Sequence, residues 1–395
     1  MRVCGVICEY NPFHKGHALH LSRARALTGA DYVVCAMSGA LTQRGTFARH
    51  DKWTRARAAL LNGADLVLEL PARFACSPAP DFARGGVGLL SSLGVVTHLS
   101  LGCEADALPL LTLASDALLH EPPAFVAALR QGLDAGLSFP RAQALAAQAA
   151  CGKPGMAKAI GQPNASLALE YLRALPPDIV PAPVEREGGG YLDGALCELA
   201  SATAVRAALE RGDLTGALAS VPSPRLISDV EALGDVHAPD ALDQALLYRL
   251  RQMTQRELSQ VPGMDEGLQN RFLSTAKEVV SREELIALVK TKRYTYTRLS
   301  RLCSLSLLGV TRELTAAHPA PTYARILGFR REAAPLLRAI KEQSTVPLIT
   351  KAADYDRSDA LFALDLCAQD LWSLGCASPR LRACGRDLTT SPIIV

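Results

Sequence analysis

Two histidines, His14 and His17, stand near the beginning of the chain with Gly16 between them. They follow an apolar run over residues 3–8 that is rich in β-branched residues and too short for a buried helix, so it predicts a buried parallel strand. Pro12 ends that strand, because proline cannot donate to a strand ladder. From Gly16 onward the apolar residues take helical spacing. The histidines therefore lie in a polar turn between a strand and a helix.

This arrangement could bind a phosphate chain. Backbone N–H groups and the positive end of a helix dipole lie beside two imidazoles, and that combination attracts anions. Gly16 has no Cβ, so a phosphate could approach the backbone closely. The alternative is a turn with two surface histidines, since a motif of four residues is weak by itself. Directly after a first strand, His-x-Gly-His resembles the signature of the nucleotidyltransferase superfamily that includes class I aminoacyl-tRNA synthetases, in which both histidines stabilise a transition state at the α-phosphate of ATP.

Composition indicates an ordinary globular protein. The chain has 395 residues, of which 49% are hydrophobic and 21% charged, and this length favours two domains. The first residues do not resemble a signal peptide, and no apolar run approaches the roughly 20 residues that span a bilayer. The 11 cysteines are odd in number and form no C-x-x-C pair, which indicates reduced thiols and neither disulfides nor a zinc site. We expect a cytoplasmic protein without a membrane partner or a protein-bound metal.

Charge is unevenly distributed along the chain. Residues 281–350 contain 12 Lys or Arg against 5 Glu, whereas the whole chain carries a net charge of only +3. Such a local excess predicts a polyanionic partner for the C-terminal part. One run there interleaves cations, which could contact phosphates, with tyrosines, which could stack unpaired bases; alternatively the tyrosines are core and the cations a solvated face. The predicted RNA-binding residues are Lys290, Lys292, Arg293, Tyr294, Tyr296 and Arg298.

Apolar runs alternate with helical patterns through the first half of the chain. This alternation predicts an α/β fold with a parallel sheet, in which ligands bind at the carboxyl ends of the strands. The further predicted strands cover 32–37, 65–70, 97–101 and 179–187, and helices cover about 52–61 and 81–93. Four loops should therefore converge on one crevice, namely 9–17, 38–44, 71–77 and 102–104.

These loops supply further candidate ligands. Gln43 and Arg44 could bind a substrate carboxylate or phosphate, although Arg44 could also be a solvated cation. Gly102 follows the fourth strand, where a flat adenine or ribose could pack on the backbone, or where the chain simply makes a tight turn. Arg186 ends the fifth strand just before three glycines, so it should point at the same crevice.

A second phosphate motif opens a later helix. Ser201 is a natural N-cap, and Ser-x-Thr-x-x-Arg, made by Ser201, Thr203 and Arg206, resembles the nucleotidyltransferase segment whose hydroxyls and arginine hold the departing pyrophosphate. Alone, the pattern is little more than a capped helix. Prolines over 222–239 then indicate a boundary. We predict a Rossmann-like, parallel-sheet nucleotidyltransferase α/β domain over 1–221 and a mainly α-helical, basic, RNA-binding domain over 222–395, in which 345–351 could be a short strand or an extended link.

Several segments that span most of the chain together form a specific pattern: Glu9-Tyr10-Asn11-Pro12-Phe13-His14-Lys15-Gly16-His17, Ser38-Gly39 with Gln43-Arg44-Gly45, Asp51-Lys52-Trp53, Asn62-Gly63-Ala64-Asp65, Glu69-Leu70-Pro71, Ser201-Ala202-Thr203, and Arg293-Tyr294-Thr295-Tyr296-Thr297-Arg298. Through these segments the chain resembles the bacterial tRNA(Met) cytidine acetate ligases. The resemblance implies an enzyme that activates acetate with ATP, releases pyrophosphate, and passes the acetyl group to N4 of the wobble cytidine in the anticodon stem-loop of elongator tRNA(Met).

The resemblance also implies a nucleotide site. In that family ATP is bound by the segment that matches Ile7 to His20 and by positions that match Gly102, Asn164 and Arg186. Asn164 could otherwise cap a helix. Mg²⁺ should accompany the phosphates, because it needs few protein ligands. His14 and His17 are the predicted catalytic residues. The predicted ATP ligands are Ile7, Cys8, Glu9, Tyr10, Asn11, Pro12, Phe13, His14, Lys15, Gly16, His17, His20, Gly102, Asn164, Arg186, Ser201, Thr203 and Arg206.

Some positions depart from the family pattern. Ala40 stands where a polar residue such as Asn is expected, Leu101 and Cys103 flank Gly102 in place of Phe and Ser, and Leu192 stands where His is common. These changes leave the phosphate motifs intact and concern the contacts on the acceptor side and the identity of the acyl group. Two other functions compete with the ligase. One is an adenylyltransferase that makes a small nucleotide cofactor, which the C-terminal charge excess disfavours, and the other is a catalytically silent RNA-binding relative, which would not bind ATP.

Overall fold

The computed structural model describes residues 1–103, 105–162, 165–185 and 199–395. The strands are β1 (Val3–Cys8), β2 (Tyr32–Ser38), β3 (Leu66–Leu70), β4 (His98–Gly102), β5 (Val180–Val184), β6 (Ala324–Phe329), β7 (Leu348–Ile349) and β8 (Ile393–Ile394). The helices up to residue 219 are α1 (Lys15–Thr28), α2 (Lys52–Leu61), α3 (Ala72–Ala75), α4 (Ala79–Ser91), α5 (Leu108–His120), α6 (Pro123–Asp134), α7 (Phe139–Cys151), α8 (Met156–Ile160), α9 (Ala165–Ala174), α10 (Ala202–Glu210) and α11 (Leu214–Ala219).

The remaining helices belong to the C-terminal part. They are α12 (Pro224–Ala232), α13 (Asp243–Gln252), α14 (Gln255–Ser259), α15 (Leu268–Thr275), α16 (Arg282–Val289), α17 (Tyr296–Leu308), α18 (Arg312–Ala317), α19 (Ala334–Gln343), α20 (Ala360–Leu374) and α21 (Arg386–Thr389). This part is mainly helical, as its sequence predicts.

The sheet has the strand order β5-β4-β1-β2-β3-β6-β7, with β8 paired to β6. The first five strands run parallel to one another, which confirms the α/β prediction. The chain moves outward from β1 to β2 and β3, and then crosses to β4 on the other side of β1. The direction of winding therefore reverses between β1 and β4, and ligands of doubly wound sheets bind outside the carboxyl ends of the strands at such a switch point.

Three strands of the sheet come from the C-terminal part, for which the sequence predicted mainly helices and at most one short strand. β6 pairs antiparallel with β3, so that Leu66 lies opposite Phe329, and β7 and β8 each pair parallel with β6. Arg325 interrupts the apolar run of β6, and β7 and β8 have two residues each, too few to show a periodic pattern. Strand formation in the segment 345–351 is limited to Leu348–Ile349.

Helices cover both faces of the sheet, as alternate residues of β2 show. Val33 and Cys35 pack with α1 and α2, whereas Val34 and Ala36 pack with α4, α9, α19 and α20. A further core joins α13 to α17 with α20 and with Leu41, which lies in the loop after β2. The C-terminal helices therefore pack directly on a loop at the carboxyl edge of the sheet.

Candidate functional site

The first motif forms the N-terminus of α1. His14 is the N-cap, and its Nδ1 accepts a hydrogen bond from the Gly16 N–H at 3.1 Å, while Nδ1 of His17 accepts from the His14 N–H at 3.3 Å. The two imidazoles thus make the reciprocal capping box that Ser or Thr usually makes with Glu. Their rings stack with centroids 3.7 Å apart. Because an accepting Nδ1 carries no proton, each neutral ring has its N–H at Nε2.

Gly16 is required by the position of the His14 ring. A Cβ at residue 16 would lie 2.9 Å from Cε1 and 3.0 Å from Nδ1 of His14. Any side chain there would displace the imidazole from the first turn of α1. The glycine therefore leaves room for the His14 ring. This role is additional to the predicted one, in which the missing side chain lets a phosphate approach the backbone.

Tyr10 and Phe13 support the histidines from beneath. They are 3% and 1% exposed, and the Tyr10 ring lies 4.7 Å from Phe13 in an edge-to-face contact and 4.8 Å from the His17 ring. Tyr10 has a φ of +52°, which is uncommon for a residue with a side chain. Among the predicted ATP ligands, these two can therefore offer a ligand only their backbone. Their rings fix the orientation of His17.

The switch point between β1 and β4 is spanned by side chains of α1 and β4. Nε2 of His20 lies 2.9 Å from the Ser100 hydroxyl. At the end of β4, nothing lies within 4 Å of the position that a Cβ of Gly102 would occupy. The space in which a base or ribose is predicted to pack is thus open in the described structure. Burial raises the pKa of the Cys8 thiol, which lies at the end of β1, well above its ordinary value, so this cysteine is not poised as a nucleophile.

The second motif meets the first through Arg206. Ser201 caps α10 by accepting a hydrogen bond from the Ala204 N–H at 3.1 Å, as predicted. The Arg206 guanidinium donates to the Asn11 carbonyl and, at 3.2 Å, to the Thr203 hydroxyl. Asn11 belongs to the turn that leads into His14, so the two motifs, which lie far apart in the sequence, are in contact. The N-termini of α1 and α10 both border that turn.

Glu9 and Arg55 fasten the loops that follow β1 and β2. The Glu9 carboxylate accepts a hydrogen bond from the Gln43 N–H at 2.5 Å, and burial raises the pKa of Glu9. Arg55, which is 1% exposed, donates to the carbonyls of Glu9 at 2.7 Å and Ser38 at 2.9 Å, and also to Gly39. Burial lowers the Arg55 pKa to about 10, which still leaves it charged at neutral pH. Sequence reasoning missed Arg55, because one arginine in a helical pattern carries no signal.

The loop after β2 is bound to α17 by its backbone. The Gln43 carbonyl accepts a hydrogen bond from Arg301 at 3.1 Å, and the Arg44 carbonyl accepts one from the Ser300 hydroxyl at 2.6 Å. A Cβ at Gly45, where φ is +76°, would lie 2.4 Å from the Arg301 backbone nitrogen. The Arg44 side chain is exposed and that of Gln43 is half-buried. Substrate binding by these two side chains stays a prediction.

The segment 71–77 is not an open loop of the crevice, contrary to expectation. It forms the buried helix α3, and the Ala72 N–H donates to the Asp365 carboxylate on α20 at 2.6 Å. Asp365 also accepts a hydrogen bond from Tyr323 at 2.5 Å. Burial, together with the negative charge of Glu69, raises the pKa of Asp365 to about 7. The segment is buried by contacts with a helix nearly 300 residues away along the chain. The local sequence of 71–77 could not reveal these contacts.

Two motif residues lie in a buried ionic cluster that we define as Lys52, Glu69, Arg325 and Asp387. Lys52 Nζ lies 2.7 Å from Glu69 and 2.7 Å from Asp387, and Arg325 lies 3.0 Å and 2.7 Å from the same two carboxylates. The side chains are at most 4% exposed. Arg325 was counted in the C-terminal charge excess, so part of that excess is neutralised in the interior and does not face a polyanion.

The predicted RNA-binding run divides between surface and core. Tyr294 is 9% exposed, with its hydroxyl 3.4 Å from Glu266, so the stacking role predicted for it is wrong: burial leaves no ring face for a base. Arg298 donates to the Gly263 carbonyl at 2.9 Å and lies over the Tyr294 ring. Arg293 pairs with Glu266 at the surface. The exposed members are Lys290, Lys292, Arg293 and Tyr296.

Several predictions concern residues that lie outside the described part of the chain. These are the ATP contacts of Asn164 and Arg186 and the departure at Leu192. The other departures, Ala40, Leu101 and Cys103, are buried and belong to the core. In the part of the chain that the structure describes, no group of three or more His, Cys, Asp or Glu residues could hold a metal ion, and no helix is long and apolar enough to cross a membrane.

Comparisons with known proteins identify the family. The model of the HIGH Nucleotidyl Transferase family matches residues 1–386. The chain is 35% identical over 409 residues to the tRNA(Met) cytidine acetate ligase of Clostridium perfringens, with 100% of both chains covered. It is 37% identical over 388 residues to the protein of the same name from Caldanaerobacter subterraneus, with 95% of each covered.

Solved structures of Thermotoga maritima TmcAL share the whole fold. The apo form superposes with a TM-score of 0.93, and the form bound with alpha-thio ATP with a TM-score of 0.91, each at 30% identity and with 100% of both chains covered. The family match, the identities and the complete coverage all lead to one assignment. The chain belongs to the tRNA(Met) cytidine acetate ligase family of HIGH nucleotidyl transferases.

Proposed function

We propose that this chain is a ligase that uses ATP and acetate to acetylate N4 of the wobble cytidine in elongator tRNA(Met). The observation that carries the proposal is the junction between the two phosphate motifs, where Arg206 of α10 donates to Asn11 beside His14 and His17. Two helix N-termini and two imidazole N–H donors around one turn suit a polyphosphate. The name shared by the relatives and the alpha-thio ATP complex of the Thermotoga protein support the same substrates.

ATP would lie outside the carboxyl ends of β1 and β4. In this proposal His14 and His17 contact the α-phosphate and pyrophosphate, while the second motif holds the outgoing pyrophosphate. Gly102 would adjoin the base or ribose, and Asn164 and Arg186 are assigned to ATP by the resemblance alone. Mg²⁺ would be carried on the phosphates, because it needs few protein ligands.

The first step is the activation of acetate. A carboxylate oxygen of acetate bonds to the α-phosphorus, and the bond from that phosphorus to the oxygen bridging to the β-phosphate breaks, which releases pyrophosphate and leaves acetyl-adenylate. Negative charge builds on the α-phosphate and on the leaving group. Preorganised donors aimed at that charge, here the Nε2–H groups of His14 and His17 and the two helix N-termini, therefore matter more than a proton-transfer base.

The second step transfers the acetyl group. The cytidine N4 bonds to the acetyl carbon, the carbon–oxygen bond to AMP breaks, and N4 gives up one proton to water. The anticodon stem-loop would approach along α16 and α17, where Lys290, Lys292 and Tyr296 are exposed. We propose ATP activation as the role of residues 1–221 and RNA binding as that of 222–395, with strands from both in one sheet. Such an enzyme would work in the cytoplasm, where tRNA and ATP meet.

Analysis of tRNA nucleosides tests this function. The purified chain is incubated with ATP, isotopically labelled acetate and tRNA. The tRNA is examined by mass spectrometry as nucleosides, which identify the modified base, and as oligonucleotides, which locate it in the sequence. We expect labelled N4-acetylcytidine at the wobble position of tRNA(Met), with AMP and pyrophosphate as the other products. A labelled or adenylated small nucleotide and unmodified tRNA would instead identify an adenylyltransferase. Absence of ATP binding would identify a silent relative.

A further inference from the structure

A cavity of about 350 Å³ lies between the α/β sheet and the C-terminal helices. Its lining includes Asn11, Arg44 and Arg206, together with Leu246 of α13 and with Tyr296 and Leu307 of α17. Asn11 and Arg206 are the residues that join the two phosphate motifs. A ligand in this cavity would therefore adjoin the acetyl-adenylate of the proposed reaction.

The size and walls of the cavity suit a flat ring. Its volume is far larger than acetate requires and lies within the range of about 300–1,000 Å³ that small-molecule pockets occupy. Phe47, Leu246 and Leu307 make part of the wall apolar. Phe47 stacks on His237 with centroids 4.8 Å apart, and burial lowers the pKa of His237 to about 4, so this ring is neutral. Such walls accept an uncharged heteroaromatic ring.

Polar groups at the cavity match the edge of a cytosine. Asp243 and Glu283 line it, and carboxylates accept hydrogen bonds from the exocyclic amine of cytosine. Asp243 already accepts from the Arg282 backbone N–H at 3.1 Å, and Glu283 accepts from the Tyr296 hydroxyl at 2.6 Å and from the Arg282 guanidinium at 3.1 Å. A carboxylate has about four lone-pair sites, so both retain acceptor capacity. The bond from Tyr296 also holds its ring, which is 40% exposed, at the cavity.

We propose that this cavity receives the acceptor base of the RNA, turned out of its stack, with Tyr296 stacking on it and the carboxylates of Asp243 and Glu283 facing its exocyclic amine. Enzymes that modify a base commonly extrude it into a pocket, because the reacting atom is otherwise out of reach. The inference rests on the proposed function, since it requires an RNA substrate. It adds the place where the cytidine sits.

Binding of two RNAs tests the inference without any chemistry. The probes are the anticodon stem-loop of tRNA(Met) with cytidine at the wobble position and the same RNA with an abasic site there. Wild-type protein should prefer the cytidine RNA about tenfold, the effect expected of one stacked base. Leu307→Trp fills the cavity, and Tyr296→Leu removes the stacking ring. Each change should bring the ratio of the affinities for the two RNAs close to one. Leu119→Trp, at a 59% exposed position on α5 and away from the cavity, should retain the preference.

The outcomes separate this inference from the proposed function. Circular dichroism and thermal melting identify which variants fold. If Leu307→Trp does not fold, Tyr296→Leu provides the test. If the wild-type chain binds both RNAs equally, or if a folded cavity variant keeps the tenfold preference, the base does not occupy this cavity and the proposed function still stands. If the wild-type chain binds neither RNA, the proposed function fails and the inference fails with it.

Discussion

The buried ionic cluster and the turn before α1 contain similar polar side chains and use them differently. In the cluster, Lys52 and Arg325 each face the carboxylates of Glu69 and Asp387 in the interior. At the turn, His14 and His17 use Nδ1 to accept from the backbone, and Arg206 donates to a carbonyl and a hydroxyl. Charges paired in the interior connect distant segments of the chain. Donors oriented by the backbone at the edge of a crevice are suited to a ligand.

Removing one cation from the cluster should have the largest effect. Lys52→Met keeps most of the side-chain volume but leaves two buried carboxylates with only Arg325, and breaking a buried pair costs about 3–5 kcal/mol. We expect that loss in the free energy of unfolding, measured by urea denaturation. Lys341→Met, at an exposed position on α19, should stay within about 0.5 kcal/mol of the wild type. A Lys52→Met protein as stable as this control would show that the cluster contributes nothing.

A change in the crevice should affect chemistry instead of folding. We expect His17→Ala to lower acetate-dependent exchange between ATP and pyrophosphate by about 10²–10³-fold, the usual effect of removing one transition-state donor. The lost cap should cost only about 1 kcal/mol of stability. His120→Ala, an exposed histidine on α5, serves as the matched control. Near-normal exchange in a folded His17→Ala protein would exclude its catalytic role.

Glu231, a third paired carboxylate, should give an effect of intermediate size. Burial raises its pKa, but hydrogen bonds from Arg49 at 2.7 and 2.6 Å and from His50 at 2.8 Å outweigh burial and lower the pKa to about 2. The folded value lies below the unfolded value of about 4.3, so the stabilisation exists above about pH 4 and is lost toward pH 2. Glu231→Gln should cost about 1–3 kcal/mol at pH 6.

Urea denaturation of wild type and Glu231→Gln at pH 6, 4 and 3 measures this dependence. The difference between the two proteins should narrow as the pH falls. A difference that is the same at all three values would mean that the Glu231 carboxylate is not held ionised by Arg49 and His50.

The smallest effect is expected on the proposed RNA surface. Lys290→Ala combined with Lys292→Ala should weaken tRNA binding and reduce the slope of log K against log salt concentration by about 2, because two phosphate contacts are lost. Exchange between ATP and pyrophosphate should not change. The control is Lys341→Ala combined with Lys351→Ala, which removes the same charge from other exposed positions. Its slope should remain steeper than that of the Lys290→Ala, Lys292→Ala variant. Equal slopes for the two double variants would mean that the effect reflects net charge alone.

The sequence by itself determined the local features of the site. Strands β1 to β5 and helices α1, α2 and α10 lie close to their predicted positions, because hydrophobic periodicity, caps and proline act over a few residues. These local signals were sufficient to predict that His14 and Ser201 lie at the starts of helices. Each motif was weak alone, and the two supported each other only through their order in an α/β pattern.

The tertiary structure decided which distant residues meet. The hydrogen bond from Arg206 to Asn11, the pairing of β6 with β3, and the ion pair of Lys52 with Asp387 join segments whose local patterns do not refer to one another. Tyr294 and Tyr296 show most simply what a local sequence pattern cannot predict. They belong to one run, yet Tyr294 precedes α17 and packs into the helical core, whereas Tyr296 begins α17 and remains exposed. Burial of a side chain depends on the surfaces that pack against it, and those come from elsewhere in the chain.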